Sequence, residues 1–459
     1  MKRIIWSVAV TILSILIASN CRGQSMKSVV LPTPQQNNWA NAEIGVIIHL
    51  DMNIFAPETY KAGQKETLPP LSDFHPSKLN TDQWIAAAKS AGAKYAVLVA
   101  KHGTGFSLWP TKANDYTISQ TPWKNGHGDI VADFIKSCKK YGLRPGIYYS
   151  VNSSTLYDAK DNMPDAARKL YNKIVLQQLT ELWTHYGKLF EIWFDGGILP
   201  TSKGGVSDQI AALIKKHQPQ AILFQGPSSC KNLIRWVGNE NGDAPYPMWS
   251  RTNTTTSSQG IVEIKGLNGN PDGRIWCPAE SDFPSRKKSA WEGGWFWRAD
   301  RDQDVLPVSG LLQRYYTTVG RNTNMLIGMA IDTSGQFPEK ETSNFAEFGK
   351  EIRKQFAKSI AETKGSGTEF VLKLSNHPVK INTVVLMEDI PKGENIRKYS
   401  IEAWKDGEWK PVCDGISVGY KRIQQFNTIT TEKLRLTVLQ SSQKPMINNF
   451  AAYYVDSNQ

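Results

Sequence analysis

Two carboxylic acids stand at the ends of apolar runs: Asp195 in Leu189-Phe-Glu-Ile-Trp-Phe-Asp-Gly-Gly-Ile198, and Glu240 in Ile234-Arg-Trp-Val-Gly-Asn-Glu240. Two carboxyl groups facing each other over a pocket are what glycoside cleavage requires. One protonates the departing oxygen while the other attacks the anomeric carbon or activates water. An isolated strand-end acid more often caps a helix or holds an arginine. Several such acids on consecutive strands of one barrel shift the balance to catalysis. Glu280, in Trp276-Cys-Pro-Ala-Glu-Ser-Asp282, is a third and a rival proton donor.

Other chemistries find less support. His49 and His102 also close apolar runs, but His49-Leu-Asp51 offers no His-x-His, and His75, His127, His185, His217 and His377 lie away from strand ends. No clustered metal ligands result, and neither a metal nor an organic cofactor is expected. No Gly-x-Ser-x-Gly elbow and no phosphate-binding loop appears. Cys138, Cys230, Cys277 and Cys413 form no C-x-x-C pair and read as buried thiols. The formal charge of +12 is scattered without a long basic run, which argues against a nucleic-acid partner. The 15 Trp, 16 Tyr and 16 Phe suit sugar rings and core packing alike.

The elements that must position these residues are eight short apolar runs: 43–49, 94–102, 144–150, 189–197, 221–225, 234–240, 273–280 and 324–332. Between several lie helical patterns. Thr81–Ala93 has Thr81 as N-cap, and Asp129–Gly142 ends on Lys-Lys and a glycine stop. Others span about 166–185, 207–217, 308–319 and 343–361, and none fits between the fifth and sixth runs. Near-continuous apolar strands alternating with amphipathic helices imply an α/β fold, a (β/α)8 TIM-type barrel over residues 30–361. In that fold strand C-termini share one face, so His49, His102, Tyr148, Asp195, Glu240 and Glu280 are expected at a single mouth. Gly196 and Gly197 are read as leaving room there.

Beyond residue 361 the pattern turns to period-two alternation with short turns. This predicts a C-terminal antiparallel β-sandwich over 362–459, with Lys364-Gly-Ser-Gly367 as linker. At the other end, Met1-Lys-Arg followed by an apolar run to Ala18 has the form of a secretory signal covering residues 1–23. Cleavage after Gly23 and a lipoprotein box with a lipid anchor at Cys21 both fit. The expected location is the periplasm or the outer-membrane surface.

In order along the chain, Ile44-Gly-Val-Ile-Ile-His49, Lys94-Tyr-Ala-Val-Leu-Val-Ala-Lys-His-Gly-Thr-Gly-Phe-Ser-Leu-Trp109, Gly142-Leu-Arg-Pro-Gly-Ile-Tyr-Tyr-Ser150, Trp193-Phe-Asp-Gly196, Arg235-Trp-Val-Gly-Asn-Glu240 and Asn324-Met-Leu-Ile-Gly-Met-Ala-Ile-Asp332 resemble the α-L-fucosidases of glycoside hydrolase family 29. The resemblance covers the barrel and extends to the tail. It implies a retaining exo-glycosidase acting on fucosylated oligosaccharides or glycoprotein glycans, with Asp195 as nucleophile. Glu240 then matches the acid/base of the branch acting on α-1,3/1,4-fucosides. His49 and His102 match sugar-binding histidines, Tyr148 and Trp193 pocket walls, and Glu58 a hydroxyl partner. Beside the resemblance, Glu280 reads as a subsite contact, and Trp295-Phe-Trp297 as an aromatic platform for an acceptor sugar or as lid packing. The chain departs from the family at Lys101-His-Gly-Thr-Gly-Phe106, where Gly103 stands for a common second histidine, and in His49-Leu-Asp-Met-Asn53. These departures leave an α-L-galactosidase or a mixed-specificity relative as an alternative. A non-catalytic surface lectin is a second, disfavoured by the retained pair of acids.

Overall fold

The computed structural model describes residues 30–456 apart from 161, 254–266 and 288–293; the proposed signal and Cys21 lie outside the described residues. Eight parallel strands close into a barrel in the order β1-β10-β9-β6-β5-β4-β3-β2. They are β1 (Ile44–His49), β2 (Tyr95–Lys101), β3 (Arg144–Tyr149), β4 (Glu191–Trp193), β5 (Ile222–Phe224), β6 (Leu233–Trp236), β9 (Ala279–Pro284) and β10 (Asn324–Ala330). Strands β1, β2 and β10 are buried along their whole length, because helices cover one face and the barrel interior the other. That enclosure is why their sequences run apolar rather than alternating.

Helices α2 (Thr81–Ser90), α3 (Ile130–Tyr141), α4 (Asp165–His185) and α5 (Ser207–His217) follow the first four strands in turn. The Asp129 side chain caps α3 by accepting from the Ala132 N–H, and Gly142 ends it in the left-handed conformation. Asn80, not Thr81, caps α2; the Thr81 hydroxyl instead meets Ser137 of α3 at 2.8 Å. No helix joins β5 to β6, whose connection is the loop 225–232.

The seventh apolar run divides in two. Ile275–Trp276 (β8) pairs outside the barrel with Arg251–Thr252 (β7), and after Pro278, which has no amide N–H to donate, β9 carries the barrel from Ala279 to Pro284. Glu280 therefore opens a barrel strand instead of closing one, and the expectation that it reaches the mouth is corrected. Its carboxylate lies inside the barrel, fully buried, accepting from Tyr95 Oη at 2.6 Å and Trp193 Nε1 at 2.9 Å.

Helices α6 (Val308–Thr317) and α7 (Glu339–Phe356) complete the barrel, and α7 ends before the expected 361. Ala361–Ser366 is already strand β11 of the C-terminal unit, paired with β18 (Met446–Tyr453). The expected linker is thus mostly strand. Its glycine composition marks a register shift between Thr363 and Gly365 rather than a free connection. Two four-stranded sheets, β11-β18-β13-β16 and β12-β17-β14-β15, form the sandwich, and every recorded pairing within them is antiparallel. The remaining strands are β12 (Glu369–Lys373), β13 (Val379–Glu388), β14 (Ile396–Lys405), β15 (Glu408–Gly415), β16 (Arg422–Thr431) and β17 (Lys433–Ser441). Ile381, Leu386, Ile401, Leu436 and Phe450 are among the side chains that fill the space between the sheets.

Inside the barrel Glu280 faces a second fully buried acid, Glu191. Trp39 Nε1 reaches Glu191 Oε2 at 3.3 Å, while Oε1 has no N–H or O–H donor, a deficit that a proton on the pair fills. Burial raises both carboxyls, Glu191 well above its ordinary range and Glu280 to about 7, against the pull of the Tyr95 and Trp193 hydrogen bonds on the latter. The folded state then holds a proton that the unfolded chain releases near 4.5, so stability falls as pH rises from about 4.5 to about 7. Comparing Glu280→Gln with the wild type in denaturant titrations across that window should remove part of this slope, up to about 1.4 kcal/mol per pH unit. Identical slopes would contradict the shared-proton reading.

Candidate active site

A cavity of about 570 Å3 opens where the barrel strands end. His49 reaches it from the end of β1, His102 from just beyond β2, Tyr148 from β3, Trp193 and Asp195 from β4 and the turn after it, and Glu240 from the loop after β6. Trp295 lines it from the segment between β9 and α6.

An aromatic stack forms one wall. Phe224 lies 3.7 Å from Trp193 at an interplanar angle of 7°, Trp193 is 5.3 Å from Tyr148 at 18°, and Tyr148 is 5.7 Å from His102 at 14°. Strand neighbours explain the stack: β3 and β4 place Tyr148 beside Trp193, and β4 and β5 place Trp193 beside Phe224. Tyr148 donates its hydroxyl to Asp195 Oδ2 at 2.6 Å. Burial and the Asp195 charge push the phenol well above its usual range, so it stays a donor.

Asp195 itself is exposed to the opening. Gly196 and Gly197, at φ 64° and 70°, turn the chain in the left-handed region immediately after it. A Cβ on Gly196 would meet nothing within 4 Å, so the positive φ of the turn, not close packing, is what calls for glycine there.

Glu240 is half-buried, and its carboxyl is raised first by burial and further by the Asp195 charge, against a hydrogen bond from Trp295. The two acids therefore sense each other across the cavity. His49 is 4% exposed, its ring 4.9 Å from Trp295 and 6.1 Å from His102, and Nδ1 has no protein partner. Burial, then the charge of His102, hold its pKa well below the ordinary value. Trp295 and Phe296 pack against His49, so Trp295 lines the cavity beside that histidine.

Two expected contacts fall elsewhere. Glu58 is exposed and does not line the cavity; its charge instead acts on Arg298, which does. Glu280 is below the floor, holding the indole of Trp193. Phe296, from the predicted aromatic segment, lines the cavity too, while Asn53, Tyr60, Asp282 and Arg298 line it without having been singled out as site residues. Asp282 was findable: two residues past Glu280 on the same strand, it shares that residue's face one step closer to the opening. It accepts from Trp236 Nε1 at 2.8 Å, and burial followed by the Glu240 charge raises it well above the usual carboxylate range.

The two stretches that depart from the family pattern meet here. Thr104 Oγ1 donates to Oδ1 of the buried Asp51 at 2.5 Å, and that Asp51 oxygen also accepts the Met52 N–H at 2.7 Å. A Cβ on Gly103 would find only Ser153 Oγ, at 3.9 Å, and Gly103 lines the cavity, so a histidine is absent from that part of its wall. Among the described residues no group of three or more His, Cys, Asp or Glu is arranged to hold a metal ion. With its lowered pKa His49 is neutral at physiological pH, and ring NMR should place its protonation midpoint well below the ordinary 6.5. A midpoint at or above 6.5 would contradict the environment described.

Comparison with known proteins agrees with this architecture. The family model described as alpha-L-fucosidase matches residues 30–355. Alpha-L-fucosidase 1 of Arabidopsis thaliana is 30% identical over 464 residues, covering 92% of this chain and 87% of the plant protein. A rice relative, a putative alpha-L-fucosidase 1 from Oryza sativa subsp. japonica, is 30% identical with 92% and 85% coverage. A crystal structure of a putative alpha-L-fucosidase from Bacteroides thetaiotaomicron superposes with a TM-score of 0.86 at 36% identity, covering 93% of this chain and all of that one. With the barrel, the tail and the match to the family model in agreement, the chain belongs to the α-L-fucosidase family of glycoside hydrolases.

Proposed function

We propose that the protein removes terminal α-L-fucose from fucosylated oligosaccharides or glycoprotein glycans by double displacement, with retention of configuration. The observation that carries this reading is the placement of Asp195 and Glu240 on one cavity in two different electrostatic settings. Asp195, oriented by Tyr148 and exposed to the opening, attacks the anomeric carbon. Glu240, whose proton is favoured by burial and by the Asp195 charge, gives that proton to the glycosidic oxygen and the aglycone departs. Glu240 then takes a proton from water, whose oxygen attacks the same carbon and releases Asp195.

His49 and His102 serve the sugar hydroxyls, Tyr148 and Trp193 its apolar face, and the raised carboxyl of Asp282 adds a neutral donor beside Glu240. The Gly-Asn-Glu context of Glu240 supports action on α-1,3/1,4-linked fucose, and the N-terminal apolar segment supports export.

Asp195→Ala should lower aryl α-L-fucoside turnover by at least about 10^4-fold, read as release of the phenol. A wild type without turnover, or one that cleaves the L-galactoside faster, would overturn the substrate assigned. Glu240→Ala should regain activity with azide, and 1H NMR of the first product should show the α-anomer. Since Glu240 must be protonated in the first step and its pKa is raised, kcat/KM for an unactivated fucoside should fall on the alkaline side, and Glu240→Gln should abolish that limb. An unchanged limb in Glu240→Gln would assign the proton elsewhere.

A further inference from the structure

The loop that carries Glu240 leaves β6 at Trp236 and returns at Arg251. Its root is closed by the fully buried Arg235, which donates to the Trp249 carbonyl at 2.8 Å. Nearer Glu240, α6 and the turn after it grip the loop. The Thr317 hydroxyl donates to the Gly242 carbonyl at 2.7 Å, and Arg321 donates to Asp243 Oδ1 at 2.8 Å. Asn239, next to Glu240, donates to the Asp243 carbonyl at 3.0 Å.

The far side of the loop is held from the barrel by Arg235, by Asn322, which donates to the Met248 carbonyl at 3.2 Å, and by the Cys277 N–H, which donates to the Ser250 carbonyl at 2.8 Å, and the sandwich adds a second set of contacts. Tyr246 Oη accepts the Ile416 N–H at 2.8 Å, and Arg422 lies 4.2 Å over its ring. The Met248 N–H donates to Ser417 Oγ at 3.3 Å, and Arg397 stacks 4.8 Å over Trp249. Ser250 gives both its N–H, at 2.8 Å, and its hydroxyl, at 2.5 Å, to Glu394, which also accepts from Asn322 at 2.7 Å. Glu394, Ser250 and Ser417 are each at most 3% exposed. A buried carboxylate satisfied by three donors is costly to leave unpaired, so these contacts fix geometry as well as adhesion.

From this geometry we infer that the C-terminal sandwich is a positioning element for the acid/base: through Ser417 and Glu394 it holds the 237–250 loop in the one shape that aims Glu240 at the glycosidic oxygen. The inference rests on the acid role proposed for Glu240. It makes Tyr246, Ser417 and Glu394 positioning residues, which touch neither substrate nor reacting atoms.

The test is leaving-group dependence, because a phenolate that departs without a proton does not need the acid. Tyr246→Phe, Ser417→Ala and Glu394→Gln are compared with the full-length wild type on 2-chloro-4-nitrophenyl and 4-methoxyphenyl α-L-fucosides. A displacement of Glu240 by about 1 Å should lower kcat/KM for the methoxyphenyl substrate about 10- to 100-fold and leave the chloronitrophenyl value within about twofold. Built into Glu240→Gln, the same changes should have no further effect on the methoxyphenyl substrate. Equal losses on both substrates, or no loss on either while Glu240→Gln alone is impaired, would overturn the positioning role. If Glu240→Gln loses nothing on the methoxyphenyl substrate, the acid assignment fails first. Should Glu394→Gln fold poorly, Tyr246→Phe and Ser417→Ala carry the comparison, since each removes one hydroxyl and no charge.

Discussion

The hydrogen bond from Trp193 Nε1 to Glu280 is the contact on which the geometry of the cavity rests. It fixes the indole between Phe224 and Tyr148, and so fixes the ring whose hydroxyl meets Asp195 at 2.6 Å. The same wall continues to His102. A barrel interior packed only with aliphatic side chains would leave the indole N–H buried and unpaired, at a cost of about 1–3 kcal/mol. The acid below the floor therefore orients the acid at the rim through two aromatic side chains, Trp193 and Tyr148.

Electrostatics then divides the carboxyls by task. Glu191 and Glu280 are raised by burial and serve the interior. Glu240 and Asp282 are raised by burial and by neighbouring acids, and both line the cavity. Asp195 differs in being exposed and held by a phenol that remains protonated. Environments that separate neighbouring acids in this way let one pocket hold a protonated and an ionised carboxyl together, as the proposed double displacement requires.

Much of this was legible in the sequence because barrel strands enclosed on both faces read as apolar runs, and because strand ends share one face. His49, His102, Tyr148, Trp193, Asp195, Glu240 and Trp295 all line the cavity. Glu280 was misplaced because an apolar run does not say where a barrel strand begins: Ile275–Trp276 is as apolar as a barrel strand but pairs outside, and Pro278 marks the break. The same one-step error in register hid Asp282. Asn53, in a single 3-10 turn (Met52–Ile54), and Tyr60 and Arg298, in loops, lie in connections whose course depends on contacts with no periodic signature, such as Thr104 with Asp51. The glycines of Lys364–Gly367 resembled a linker because a strand irregularity and a linker use the same residue.

The central claim is that Asp195 forms a covalent bond to the sugar, and intermediate trapping tests it most directly. Incubation with 2-deoxy-2-fluoro-α-L-fucosyl fluoride, followed by mass spectrometry of the intact protein and its peptides, should show one fluorofucosyl adduct per chain on the peptide containing Asp195. An adduct on Glu240 or another acid, or turnover of the parent fucoside to the inverted product with no adduct, would contradict it.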